Sequence, residues 1–176
     1  MMARVGLVLG AAFMTFGYVK CTFLGTTGAT ATGDTSGSNF STTLTLRSTG
    51  GAANTTFTYG QAIQFDLAVL NQSSQADTLQ FPDAQIYDFY VLDANSDTVR
   101  WQWSANQAFA QTATSLSFAA NSSKSYTVLW NGVLADGTQL AAGTYRARGM
   151  IVAVDFTGNP LMTSDLGSNV VSFTVQ

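Results

Sequence analysis

A chain of 176 residues with 46% apolar and 12% aromatic side chains can bury a sizeable core within one domain, without disulfides or metals. Histidine is absent and cysteine occurs once, at Cys21. This excludes Ser-His-Asp and Cys-His nucleophilic catalysis, His-based zinc sites, Cys-rich metal clusters and any intrachain disulfide. Seven basic residues against ten acidic ones give no clustered Lys/Arg footprint for phosphates, so nucleic acid is excluded as a partner. The composition therefore predicts a protein that is not an enzyme and has no catalytic residues, cofactor or metal. All ten acids are Asp, which favours turns and caps, and charged residues make up only 10%. The polar surface is then Thr, Ser, Asn and Gln, which suits strands better than exposed helices.

The chain opens with a short positive stretch, Met1 to Arg4. An apolar run follows from Val5 to Phe16, and Gly17 to Cys21 turns polar. This is the layout of a signal peptide or membrane anchor over residues 1–21, with an apolar core shorter than the roughly 20 residues of a spanning helix. Export to the periplasm, cell surface or medium is the expectation. Cys21 is a candidate lipidation site, although Lys20 and Tyr18 stand where a lipoprotein signal wants a small and an aliphatic residue. Cleavage after Ala29-Thr30-Ala31 fits the small-x-small rule. Lipid attachment through Cys21, soluble release and an uncleaved N-terminal anchor in the membrane all stay open. Loss of the leader leaves five basic residues against the ten Asp.

Residues 22–39 are almost entirely Gly, Thr, Ala and Ser without apolar period, and read as a tether. From residue 40 to 176 a single domain of short alternating segments follows. Leu44 and Leu46 alternate with polar residues. Ile63, Phe65, Leu67 and Val69 face one way and Gln64, Asp66 and Ala68 the other, the cleanest half-buried strand in the chain. Further strands are predicted at Leu79 to Phe81, Ile86 to Leu92, Val99 to Trp103, Leu116 to Phe118, Tyr126 to Trp130, Thr144 to Val154 and Val170 to Val175. Turn-forming residues separate them, and only Ala105 to Ala113 has room for a helical turn. About eight to nine strands at this spacing predict an all-β antiparallel immunoglobulin-like β-sandwich or barrel, preceded by the signal or anchor helix.

Three patterns have ordinary explanations. Asp93 to Asp97 has the alternating oxygens that begin a calcium loop, but Thr98 stands where the turn needs Gly and Ser104 where a bidentate Glu closes the site, so a hairpin loop is the better account. Arg146 and Arg148 share a strand face, either as a small basic strip or as ordinary surface. Asn39, Asn54, Asn71 and Asn121 each begin an Asn-x-Ser/Thr triplet, which matters only in a host that glycosylates them.

The most distinctive stretch runs from a strand ending at Asn71 through Tyr87-Asp88-Phe89 to Trp101-Gln102-Trp103-Ser104 and Phe109. Tyr126 to Trp130 follows, and then Gly137, Leu140, Gly143, Thr144 and Tyr145 in a Gly-x-x-Leu-x-x-Gly-Thr-Tyr hairpin. In these residues, in this order, the chain resembles the BsuPI family of bacterial intracellular proteinase inhibitors over roughly Gln61 to Val154, and more weakly resembles bacterial immunoglobulin-like modules. The aromatics read as core: Trp101 and Trp103 share one strand face, and Tyr87 and Phe89 share one on a neighbouring strand. Asp88 faces the other way, either to loop amides or to solvent. Trp130, Gly143 and Tyr145 complete the motif.

The resemblance implies a protein partner, a serine protease in the first instance, bound through a rigid exposed loop. Asp93 to Asp97, Gln75 to Asp77 and Asn131 to Gly137 are the candidate tips. The alternative is a structural or adhesive cell-envelope module without inhibitory activity, which the low charge, the abundant Thr and the leader also suit.

Overall fold

The computed structural model describes residues 39–154 and 166–176. The leader at 1–21 with Cys21, and the tether at 22–39 apart from Asn39, lie outside the described residues.

Alternation of apolar and polar residues builds the first sheet. Strand β1 (Phe40–Arg47) and β8 (Ser123–Trp130) flank β3 (Ile63–Asn71), all antiparallel, in the order β1-β3-β8. In β3 the predicted inward set is buried, with Ile63 at 2% exposure and Phe65, Leu67 and Val69 at 0%. The second sheet has the order β2-β10-β9-β5-β6, formed by β2 (Thr56–Phe57), β10 (Val171–Val175), β9 (Gly143–Ile151), β5 (Tyr87–Asp93) and β6 (Val99–Gln102). All its pairs are antiparallel except β2 with β10. The remaining strands, β4 (Asp77–Phe81) and β7 (Thr114–Phe118), form a two-stranded ribbon. The described residues thus hold ten strands, one more than the predicted segments. The extra one, β2, has only two residues, too few to show a period.

The two larger sheets lie face to face across one hydrophobic cluster and stay open, each ending in edge strands, so the barrel alternative is set aside. Phe65 of the first sheet meets Phe89 and Trp101 of the second, each at 5.5 Å between ring centroids. Gly149 lets the sheets approach closely at the centre, because a Cβ there would stand 2.8 Å from Leu67 Cδ1. Among the described residues no helix is long and apolar enough to cross a membrane.

The β4–β7 ribbon continues the β3–β8 ladder beyond an interruption. Leu70 pairs with Ser123 before it, and Asp77 with Phe118 after it. Asn71, fully buried, spans the gap: its Nδ2 donates to the carbonyls of Gln75, Ala119 and Phe118 at 2.9, 3.1 and 3.4 Å, and its Oδ1 accepts from Ser73 N–H. One amide replaces the missing ladder bonds, as a buried backbone requires. Beyond the gap, Gln80 of β4 bridges to Val154, which joins the ribbon to the segment that follows β9.

On the polar face of the first sheet, Asp66 accepts from Arg47 Nε and Thr127 Oγ1, both at 2.7 Å, and from Gln64 Nε2 at 2.9 Å. Partial burial raises its pKa, but the hydrogen bonds from Thr127, Gln64 and Arg47 and the Arg47 charge outweigh it, and the carboxyl lies below its ordinary 3.8. A depressed folded-state pKa supplies stability above the unfolded value that is lost as pH falls through the folded one. Asp66→Asn is expected to flatten the stability loss below about pH 4, read from urea midpoints across the acid limb.

Candidate functional site

The Tyr-Asp-Phe and Trp-x-Trp-Ser segments meet across β5 and β6. Asp88 faces away from the core, as predicted, yet is only 1% exposed. Its Oδ1 accepts from the N–H groups of Phe89 at 2.9 Å and Ser104 at 3.1 Å, and its Oδ2 accepts from Ser104 Oγ at 2.6 Å and Gln102 Nε2 at 2.7 Å. Of the two expected roles, binding amides is the one observed. Gln102 also donates to Tyr90 Oη at 3.3 Å. Burial, with the Asp88 charge and hydrogen bond added, pushes the Tyr90 phenol above its ordinary range, although the Arg148 charge opposes this.

The Asp88–Ser104 contact corrects one expectation. Trp103 does not end the strand: β6 stops at Gln102, and Trp103–Asn106 form a 3-10 turn closed by Gln107 N–H on the Ser104 carbonyl at 3.0 Å. The helical turn therefore begins two residues before Ala105 and stops well short of Ala113, because Asp88 draws the Ser104 N–H out of the ladder. In that position Trp103 stacks on Tyr87 at 4.7 Å, and Tyr87 meets Tyr126 at the same distance. Trp101 stacks on Trp130, also at 4.7 Å. Both tryptophans and the Tyr87–Phe89 pair pack inward, but Trp101, Trp103 and Tyr87 remain half-buried at the seam between β6 and β8. Only Phe89, at 0% exposure, is fully enclosed.

The other motif residues brace the connection from β8 to β9. Trp130 Nε1 donates to the Val133 carbonyl at 2.9 Å at its start, and Tyr145 Oη donates to the Ala141 carbonyl at 3.1 Å at its end. Gly143 lies against the Tyr145 ring, where a Cβ would stand 3.4 Å from its hydroxyl. Between them the chain folds into a small hairpin: Val133 bridges Gln139, Leu134 N–H donates to the Thr138 carbonyl at 2.8 Å and Gly137 N–H to the Leu134 carbonyl at 3.0 Å. Gly137 sits at φ 80°, the left-handed position that closes a type I turn with a bulge. Its tip, Ala135 to Thr138, is exposed. Asp136 accepts from Thr138 Oγ1 at 2.6 Å and Thr138 N–H at 2.9 Å, which holds its carboxyl below the ordinary range.

A second tip stands beside this hairpin. Asp93 N–H donates to the Thr98 carbonyl at 3.0 Å, closing the loop between β5 and β6. Arg146 of β9 reaches into it: Nε donates to the Asp93 carbonyl at 3.1 Å, and one terminal nitrogen serves the Ser96 carbonyl and the Asp97 carboxylate. No cluster of three or more metal-ligating side chains exists among the described residues. Arg146 is committed to the loop, whereas Arg148, on the same face, is exposed. A shallow cleft of about 250 Å³ separates the two tips, lined by Val99, Arg100, Leu134, Ala135 and Asp136. Two of the three candidate loops therefore share one end of the molecule. Gln75 to Asp77 adjoins Asn71, at the other end of β3, a strand about 26 Å long. Sequence reasoning missed the role of Arg146, because nothing local links it to a loop some fifty residues earlier.

The fold and this arrangement of motif residues fall within a known class. The family model BsuPI, described as an intracellular proteinase inhibitor, matches residues 52–156. The chain belongs to this family, and an inhibitor family implies a protease as partner. No curated protein matches it. Among solved structures, the chain is similar to the CARDB domain of the PF1109 protein from Pyrococcus furiosus, with 13% identity, TM-score 0.40 and coverage of 77% of this chain and 93% of that one. It is also similar to a mutant β-glucosidase from Listeria innocua, with 12% identity, TM-score 0.40 and coverage of 77% of this chain but 16% of that one. A third is the alkylpurine DNA glycosylase AlkC from Pseudomonas fluorescens, with 9% identity, TM-score 0.42 and coverage of 78% and 30%. The chain thus spans only a small part of the two enzymes.

Proposed function

We propose that this protein is an exported proteinase inhibitor with an immunoglobulin-like fold and no catalytic activity of its own, and that it contacts a serine protease through the two tips flanking the Val99–Asp136 cleft. The observation that carries this reading is the anchoring of the 93–98 loop by Arg146, opposite a hairpin braced by Trp130 and Tyr145. Tips ordered before binding lose little entropy on binding, and this is what turns a modest contact area into tight association. Export rests on the leader pattern of residues 1–21, and membrane attachment on Cys21. Comparing cell fractions for the wild type and Cys21→Ser separates lipid anchoring from soluble release.

The test of inhibition is titration of the full chain against a panel of serine proteases, with stoichiometric loss of activity expected for the target. Arg146→Ala is expected to weaken inhibition by about tenfold to a hundredfold, since the freed loop residues must then be ordered on binding. Indifference of every protease, or steady digestion of the chain, would replace this reading with that of a structural or adhesive envelope module.

A further inference from the structure

The outer edges of the two larger sheets are not alike. On β1 the edge is occupied: Leu44 N–H donates to Asn169 Oδ1 at 2.8 Å, the Leu44 carbonyl accepts from Asn169 Nδ2 at 3.3 Å, and the Leu46 carbonyl accepts from Asn54 N–H at 2.9 Å. In the second sheet β2 has two residues, and β6 has four and pairs with β5 through a bulge. Strand β8 differs, with eight residues that among the described residues are paired on one side only. Asn71 N–H donates to the Ser122 carbonyl at 2.9 Å, which sets the alternation along the ladder. Lys124, Tyr126 and Val128 turn their backbone groups toward β3, and Ser123, Ser125, Thr127 and Leu129 turn theirs outward. No described residue forms a backbone–backbone bond to those outward groups.

The two faces of this edge differ, with Ser123, Ser125, Thr127 and Leu129 exposed on one and apolar side chains on the other. Leu129 is 61% exposed on one face. On the other face Tyr126 and Val128 are half-buried at the seam, and the Tyr126 hydroxyl is buried without a hydrogen-bond partner. The strand contains no proline or bulge and a single charge, Lys124, near its start, so the usual devices that blunt an edge are nearly absent.

We propose that the free edge of β8 is a docking strand for an extended polypeptide segment of a partner protein, apolar at alternate residues, which adds to the β1-β3-β8 sheet. Outward N–H and C=O groups repeating every second residue are matched by another extended backbone, and this is the chemistry of strand addition. At Trp130 the strand runs directly into the hairpin at the loop end, so a segment docked on β8 is continuous with the tips proposed to meet a protease. The edge proposal nevertheless stands without the inhibitor reading.

The probe is a peptide of alternating valine and threonine with lysine ends, as long as β8, added to the full chain while amide exchange is followed. The Ser123, Ser125, Thr127 and Leu129 amides are expected to gain protection, while those of Lys124, Tyr126 and Val128 are protected throughout. Thr127→Pro, which removes an outward N–H together with the hydroxyl bond to Asp66, is expected to abolish the gain, with the inward amides reporting that the sheet is intact. Ser125→Pro serves if that variant does not fold. Absence of new protection at saturating peptide overturns the proposal. So does protection of the four amides in the free chain together with a dimeric mass, which would make a second copy the occupant. Protease inhibition without peptide-induced protection defeats the edge proposal alone, and protection without inhibition defeats the inhibitor reading alone.

Discussion

Replacing Phe65 by alanine is expected to cost about 3–5 kcal/mol in equilibrium denaturation, a large share of the 5–15 kcal/mol that holds a typical domain. Phe65 is fully buried at the centre of β3, and its ring meets Phe89 and Trp101 at 5.5 Å and Trp130 at 6.2 Å. It therefore joins the two sheets and also supports Trp130, whose indole holds the base of the exposed hairpin. Truncation removes apolar burial and leaves a cavity that two strand-locked sheets cannot collapse to fill. Leu70→Ala, on the outer face of the same strand and 38% exposed, is expected to change stability by less than about 0.5 kcal/mol. Comparable losses for the two variants would contradict the assignment of Phe65 to the junction of the sheets.

Asp88→Ala is expected to cost about 2–4 kcal/mol, because the Phe89 and Ser104 N–H groups lose their acceptor inside the protein. Asp88→Asn separates hydrogen bonding from charge. Its Oδ1 can still accept from both N–H groups, and its amide can donate to Ser104 Oγ and to Gln102 turned about its own amide. Its expected cost is about 1–2 kcal/mol, from loss of the charge-assisted part of the four bonds. Near-ultraviolet circular dichroism should report the same ranking, since Asp88→Ala frees the 3-10 turn that holds Trp103 against Tyr87. If alanine proved as well tolerated as asparagine, the carboxylate would not be the lock described.

The residues that make up the family pattern thus do different work. Asn71 repairs an interrupted ladder, Asp88 and Ser104 fix a turn, and Trp130, Gly143 and Tyr145 frame a hairpin. In sequence the aromatics read as core, and Phe89, Trp130 and Tyr145 are buried, whereas the part that Asp88 plays with Ser104 was not legible there. A hydrogen bond spanning sixteen residues leaves no periodic trace.

What the sequence determined by itself follows from local rules. Strict alternation in Ile63 to Val69 named the buried face of β3, because successive side chains of a strand must point to opposite sides. The absence of histidine and the single cysteine removed whole classes of chemistry without reference to any fold. The order of the aromatic and glycine motifs identified the family. Only the tertiary structure decided which loops share an end of the molecule, that Arg146 reaches across to hold one of them, and that among the described residues the edge of β1 is occupied while that of β8 has no strand beside it. These depend on which strands become neighbours and in what register, and that is settled by the joint burial of side chains far apart in the chain, not by the preferences of any one segment.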